Sequence, residues 1–330
     1  MATTDADRPD PVGTVDARIV VIGEALVDVV HRLDGRIEEM PGGSPANVAL
    51  TLGRLGHRPQ LVTQLADDRH GRVVRAWLDE SGVELVASAS PRTSTATAFL
   101  DAAGAASYEF DLDWDIAIAP QEVIDVLHSG SIAALLEPGA TEVVRAMGEA
   151  RHDALVTYDP NVRPVLLGDR GPVRERVERV VALSDLVKAS DEDLEWLYPE
   201  SSAVEVARAW QATGPAVVIV TSGADGAFAV TAHGVWEVAA PRIRVADTVG
   251  AGDTFMAALI DVLLRLGISG AEGRDRLHRI GSSELTGMLE RAALAAAITV
   301  SRPGADPPNA RELADAEDAR DAASTDRATD

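Results

Sequence analysis

One stretch of this 330-residue chain sets small residues, an acid and a helix start side by side. In DTVGAGDTFMAALIDVLL, Gly250, Ala251 and Gly252 run into an apolar helical pattern, with Asp253 at its beginning. Small residues let a ligand approach the backbone, and a first helical turn leaves amides without acceptors under a dipole that favours anions. A phosphate fits there. A carboxylate within the same turn can take the proton of a hydroxyl attacking that phosphate. Taken alone, Asp253 reads equally well as a helix cap. The chain completes neither GxxxxGK[ST] nor, in GAGDTF, the dinucleotide fingerprint GxGxxG.

A second segment, PGGSPANVALTLGRLG, lies some two hundred residues earlier. Ser44 and Pro45 predict an N-cap and first helical position, with Val48, Ala49, Leu52 and Leu55 on the apolar face and Asn47 off it. Gly42 and Gly43 permit close backbone approach, and an amide such as Asn47 both donates to and accepts from hydroxyls. Three shorter signals accompany it. GEALVD supplies Asp28, TSGADGAFAV puts Gly223 and Gly226 in a tight connection after a strand, and DPNVRP places the planar guanidinium of Arg163 after another.

The elements that must carry these residues alternate. Short β-rich runs are predicted from Arg18 and at 61–65, 131–136, 155–159, 186–190 and 217–221. Helices fall between or after them at 45–55, 71–80, 142–150, 174–183, 191–197, 203–212 and 254–266, the rhythm of a mostly parallel sheet with helices on both faces. Residues 25–40 and 94–111 break that rhythm and predict a small β lid. Residues 1–17 are acidic and read as a flexible leader before a main domain at 18–308. After Pro308 large apolar residues almost vanish, so 309–330 is expected to be a mobile acidic tail.

A formal charge of −23 opposes a nucleic acid or anionic membrane as partner, while leaving small phosphorylated ligands open. The absence of cysteine removes disulfides, thiolate metal sites and cysteine nucleophiles, and fits a reducing, cytoplasmic setting. The longest apolar runs fall short of the about 20 residues that span a bilayer.

Together, DTVGAGDTF, PGGSPAN and GEALVD resemble the two signatures of the ribokinase-like (PfkB) carbohydrate kinases, over roughly Arg18 to Pro308. The resemblance implies a three-layer α/β/α fold with a mostly parallel central sheet and a small β lid. It implies ATP, Mg2+ and in some members K+ as cofactors, with Asp253 the base and the Gly250–Ala251–Gly252 amides the anion hole. Asp28, Gly43 and Asn47 would hold the sugar, with Tyr108 and Phe110 of the lid and Arg163 nearby. Ser190, Thr221, Gly223, Gly226 and Gly252 would face the nucleotide. Asp247 and the Val249 carbonyl would lie near a monovalent cation. KASDEDLEWL departs from the family's NxxE segment: Ser190 stands for Asn and Asp193 for Glu, so Asp193 or Glu192 would serve a magnesium-bound water. DPNVRP points to the fructokinase and 2-keto-3-deoxygluconate kinase branches ahead of ribokinase and adenosine kinase, with fructose the first choice of acceptor. From another class, a binding protein that has lost turnover would explain the altered Ser190 and Asp193, and the intact Asp253 argues against it. The lid edge is a candidate contact for a second copy.

Overall fold

Along β1 (Ile19–Ile22), Ile19 and Val21 join one hydrophobic cluster while Val20 and Ile22 join another. Successive strand residues point to opposite faces, so a strand apolar at every position must be covered on both. The computed structural model describes residues 17–100, 106–119 and 123–328, and it builds two sheets from such runs.

The larger sheet has nine strands. To one side of β1 lie β4 (Gln60–Leu65) and β5 (Glu84–Ala89). To the other lie β8 (Val126–Gly130), β9 (Leu155–Asp159), β10 (Leu186–Ser190), β11 (Val217–Thr221), β12 (Ala227–Thr231) and β13 (Gly234–Val238). Pairing is parallel from β5 through to β11, and β12 and β13 close the edge antiparallel. The chain therefore reverses direction across the sheet between β1 and β8, the kind of switch point where ligands sit at strand C-termini. One face is covered by helices Ser44–Arg54, Ala251–Arg265 and Ser282–Val300, the other by Gly139–Ala150, Arg170–Leu183 and Ala203–Gln211.

The lid is a separate four-stranded sheet, ordered β3 (Ile37–Gly42), β2 (Leu26–His31), β6 (Thr95–Leu100), β7 (Ala106–Asp111). It comes from the two segments that break the α/β rhythm. Among the described residues no single helix is long and apolar enough to cross a membrane.

Three expectations need correction. The run at 131–136 is not a strand: the strand ends at Gly130, and Ser131 turns into a short 3-10 segment with a left-handed φ of 54°. Ser44 does not cap its helix: Gly43 is the cap, and the Ser44 hydroxyl is used elsewhere. Beyond Pro308 the chain forms a helix, Ala310–Ala328, in place of the expected mobile tail. Its single leucine, Leu313, is fully buried in the core, and Glu312 and Glu317 pair with Arg302 and Arg291. One apolar anchor plus acids facing arginines docks a segment that composition alone reads as unattached. Apart from residue 17, the expected leader lies outside the described residues.

Candidate active site

The helix Ala251–Arg265 starts at the C-terminal edge of the large sheet, with Gly250 as a left-handed cap at φ 76°. Asp253 is in its first turn and only 6% exposed. Its oxygens are held from the sugar-signature helix: Ser44 Oγ donates to Oδ1 at 2.6 Å and Asn47 Nδ2 to Oδ2 at 2.7 Å. Each carboxylate oxygen keeps a lone pair. Asn47, expected off the apolar face, is buried, and its Oδ1 has no partner among the described residues.

The anion hole differs slightly from the expected one. The Ala251 amide is already turned toward Thr248 O at 3.3 Å, and Gly250 supplies the cap carbonyl to Thr254 N at 2.8 Å. The amides of Gly252 and Asp253 are the ones that the first turn leaves without intrahelical acceptors.

Beneath that turn is a charge that sequence reasoning missed. Lys188, 3% exposed on β10, donates to Asp159 Oδ2 at 2.9 Å. A Cβ on Gly252 would meet its Nζ at 2.8 Å, so glycine lets the ammonium sit against the helix start without being displaced. Burial opposes the lysine's charge, yet Asp159, Asp193 and Asp253 hold its pKa above the ordinary lysine value. A buried cation at the positive end of a helix is unfavourable unless anions share the site.

Asp28 sits in mid-lid on β2, opposite Met40 and Ala96. Burial pushes its pKa up to about 6, with Arg163 opposing and the charge of Asp253 adding. Gly43, at φ 107°, lies against the Glu24 carbonyl, which a Cβ would strike at 2.5 Å. Glu24 itself was overlooked although GEALVD contains it. It is 5% exposed at the switch point and hydrogen-bonds Ser131, while Oε2 has no partner among the described residues. Burial lifts its pKa to about 7. Arg163 is exposed, and its hydrogen bonds stay within its own loop, to Asn161 and the Val162 carbonyl. Tyr108 of β7 pairs with Ala98 of β6, and its side chain lies outside the described residues; Phe110 pairs with Ala96.

On the nucleotide side, Thr221 ends β11, and Gly223 and Gly226 frame the turn into β12. Thr221 Oγ1 reaches Ala189 O at 3.4 Å. A cavity of about 370 Å3 is lined by Ser222, Gly223, Asp191, Glu192 and Glu195. Of the two acids offered for a metal-bound water, Asp193 is committed elsewhere. Its Oδ1 accepts from Val162 N at 2.7 Å, and its Oδ2 accepts from Ser190 N and Oγ in a capping box. Glu192 is exposed at the cavity wall. Asp247 accepts from Val249 N at 3.1 Å and Gly304 N at 3.0 Å, fixing the loop that carries the exposed Val249.

The structure thus brings Asp28, Gly43, Asn47, Arg163, Lys188 and Asp253 together around the start of that helix. Residues 16–312 match the model of the pfkB family carbohydrate kinases. The fructokinase of Klebsiella pneumoniae is 32% identical over 266 residues, covering 77% of this chain and 87% of that protein. Fructokinase-1 of Zea mays is 31% identical over 313 residues, covering 88% and 93%. The Xylella fastidiosa fructokinase structure with bound ATP superposes with a TM-score of 0.81 at 25% identity, covering 93% of this chain and all of that one. With a carboxylate and unpaired amides at one helix mouth, and a family match over nearly the whole chain, this protein belongs to the pfkB family of carbohydrate kinases.

Proposed function

We propose that this protein is a fructokinase, moving the γ-phosphoryl group of ATP to a primary hydroxyl of fructose. The observation that carries the reading is the placement of Asp253. Its carboxylate shares the first helical turn with the two orphan amides, and Asn47 of the sugar segment holds it. The relatives named above are fructokinases, and a Vibrio cholerae fructokinase structure with fructose, ADP and calcium superposes with a TM-score of 0.76 at 26% identity, covering 90% of this chain and 98% of that one.

Asp253 takes the hydroxyl proton as the sugar oxygen attacks the γ-phosphorus; that O–P bond forms while the bond to the β-phosphate oxygen breaks and ADP leaves. Charge on the transferring group falls on the Gly252 and Asp253 amides, with the Lys188 ammonium below them. Asp28, Gly43 and Asn47 grip the sugar, and Thr221, Gly223 and Gly226 border the nucleotide. Glu192 and the cavity acids beside it offer hard oxygen donors suited to water-bridged Mg2+, which would neutralise phosphate charge when bound. Asp247 and the Val249 carbonyl suit K+. The lid closes over the sugar and excludes water. Exposed Ile37 and Met40 on β3 support that sheet as the contact for a second copy, which sedimentation tests.

Arg163 favours a second reading, since a guanidinium bonded only within its own loop is available to a substrate carboxylate. A coupled assay with ATP across fructose, ribose and 2-keto-3-deoxygluconate decides between them. Fructose is expected to give the highest kcat/KM; preference for the keto-deoxy acid, abolished in Arg163→Ala, selects the alternative. Inactivity on all three overturns the sugar reading.

A further inference from the structure

Three distant segments converge on the Ser44 hydroxyl. It donates to Asp253 Oδ1 at 2.6 Å and accepts from Asn161 Nδ2 at 2.8 Å. A hydroxyl has one proton, and with Asn161 donating to its oxygen that proton is directed at the carboxylate. The Asn161 amide has its own orientation fixed, because Arg163 donates to its Oδ1 and leaves Nδ2 facing Ser44.

The backbone at Asn161 is held under strain. Its φ of 34° lies in the left-handed region, which side chains other than glycine enter at a cost. The neighbouring amide explains how the turn persists: Val162 N donates to Asp193 Oδ1 at 2.7 Å. Asp193 is 7% exposed and anchored on its other oxygen by Ser190 N at 3.0 Å and Ser190 Oγ at 2.7 Å. A carboxylate read from sequence as a metal acid is thus a strut under the loop that reaches the base.

We infer that Asn161 is a positioning residue for phosphoryl transfer: through the Ser44 hydroxyl it fixes the orientation of the Asp253 carboxylate, and Asp193 holds Asn161 in the turn that lets it reach. The inference rests on Asp253 being the base. Asn47 restrains the other oxygen, so the two contacts together stop the carboxylate from rotating about its last bond. A misplacement of about 1 Å at a reacting group costs on the order of 100-fold in rate.

The test is a cycle of Asn161→Gly, Ser44→Ala and the double variant, with kcat, both KM values, pH profiles and melting temperature measured on each. Glycine adopts the turn freely, so Asn161→Gly is expected to keep or raise the melting temperature while kcat drops roughly 10- to 100-fold and the KM for ATP holds. Ser44→Ala removes a donor to the charged carboxylate, so the acid limb of its kcat profile moves to higher pH. Because both residues act along one path, the double variant loses no more than the worse single one. Losses that multiply, or an Asn161→Gly protein of lower stability and undiminished kcat, overturn the inference. Asp253→Asn is the control for the premise: if it turns over at the wild-type rate, the base assignment falls and takes this inference with it. If it is inactive, the premise stands and the cycle decides.

Discussion

Two buried aspartates lie on the helix Ala251–Arg265, a little over two turns apart, and the protein treats them oppositely. Asp253 is hydrogen-bonded by two neutral donors, a hydroxyl and an amide, and the Lys188 ammonium acts on it without a hydrogen bond. Asp261, fully buried, meets His57 Nε2 at 2.9 Å, Arg265 Nε at 2.8 Å and Arg291 Nε at 3.1 Å. Burial pushes the Asp261 pKa up, but the His57 hydrogen bond and the two guanidiniums win and hold it below the usual carboxylate range. Neutral donors orient a carboxylate and leave it able to take a proton; cations satisfy its charge and make it a poor base. On the proposed reading the mouth of the helix serves chemistry, while its far end serves attachment, since Arg291 continues to Glu317 of the terminal helix.

The largest effects test that division directly. Asp253→Asn is expected to lower kcat roughly 1000-fold with folding intact. Asp261→Asn should do the reverse, costing about 3–5 kcal/mol by leaving two guanidiniums beside a neutral amide, while folded protein keeps its kcat. Steady-state rates and urea unfolding on both proteins report the two quantities, and a kinetic defect in Asp261→Asn at unchanged stability would break the comparison. Next in size, Leu313→Ala should cost about 2–4 kcal/mol, because the docked helix has one apolar anchor, and leave KM untouched. A variant as stable as wild type would mean that the terminal helix adds nothing to the attached end.

The smallest effect sharpens the chemical end. Glu24 has a folded pKa of about 7 against 4.5 for an ordinary glutamate, so between these values the native state binds more protons than the unfolded chain. Its contribution to stability is therefore present at low pH and lost as pH rises through that window. Glu24→Gln removes the titration, and its stability should gain on wild type by roughly 2 kcal/mol between about pH 5 and pH 8. Parallel unfolding curves at both pH values, with no change in the difference, would place Glu24 in a better solvated setting than its burial indicates.

What the sequence discloses follows from how local each signal is. The helix start at Asp253, the paired glycines and the parallel strands read directly, because small residues before an apolar helix and unbroken β-rich runs have few other uses. The lid was legible as an interruption of rhythm. Lys188 and Asp159 were not, since a lysine within an apolar strand gives no sign of the carboxylate that will face it from the neighbouring strand. The choice between Asp193 and Glu192 stayed open for a related reason. The place of Asp193 in the family motif is visible in one dimension, whereas the Val162 amide that occupies it arrives from another loop. Ser44 looked like a cap because Ser-Pro before a helix usually is one; Gly43, at a φ that other residues avoid, took that position and released the hydroxyl.

Asp28 and Asp253 belong to different bodies, one riding the four-stranded sheet and the other packed on the nine-stranded one, and the negative charge of Asp253 adds to the raised pKa of Asp28. On the proposed reading, an acceptor polyol set between them offers hydroxyl protons to both carboxylates and offsets that repulsion, which Arg163 already eases in part.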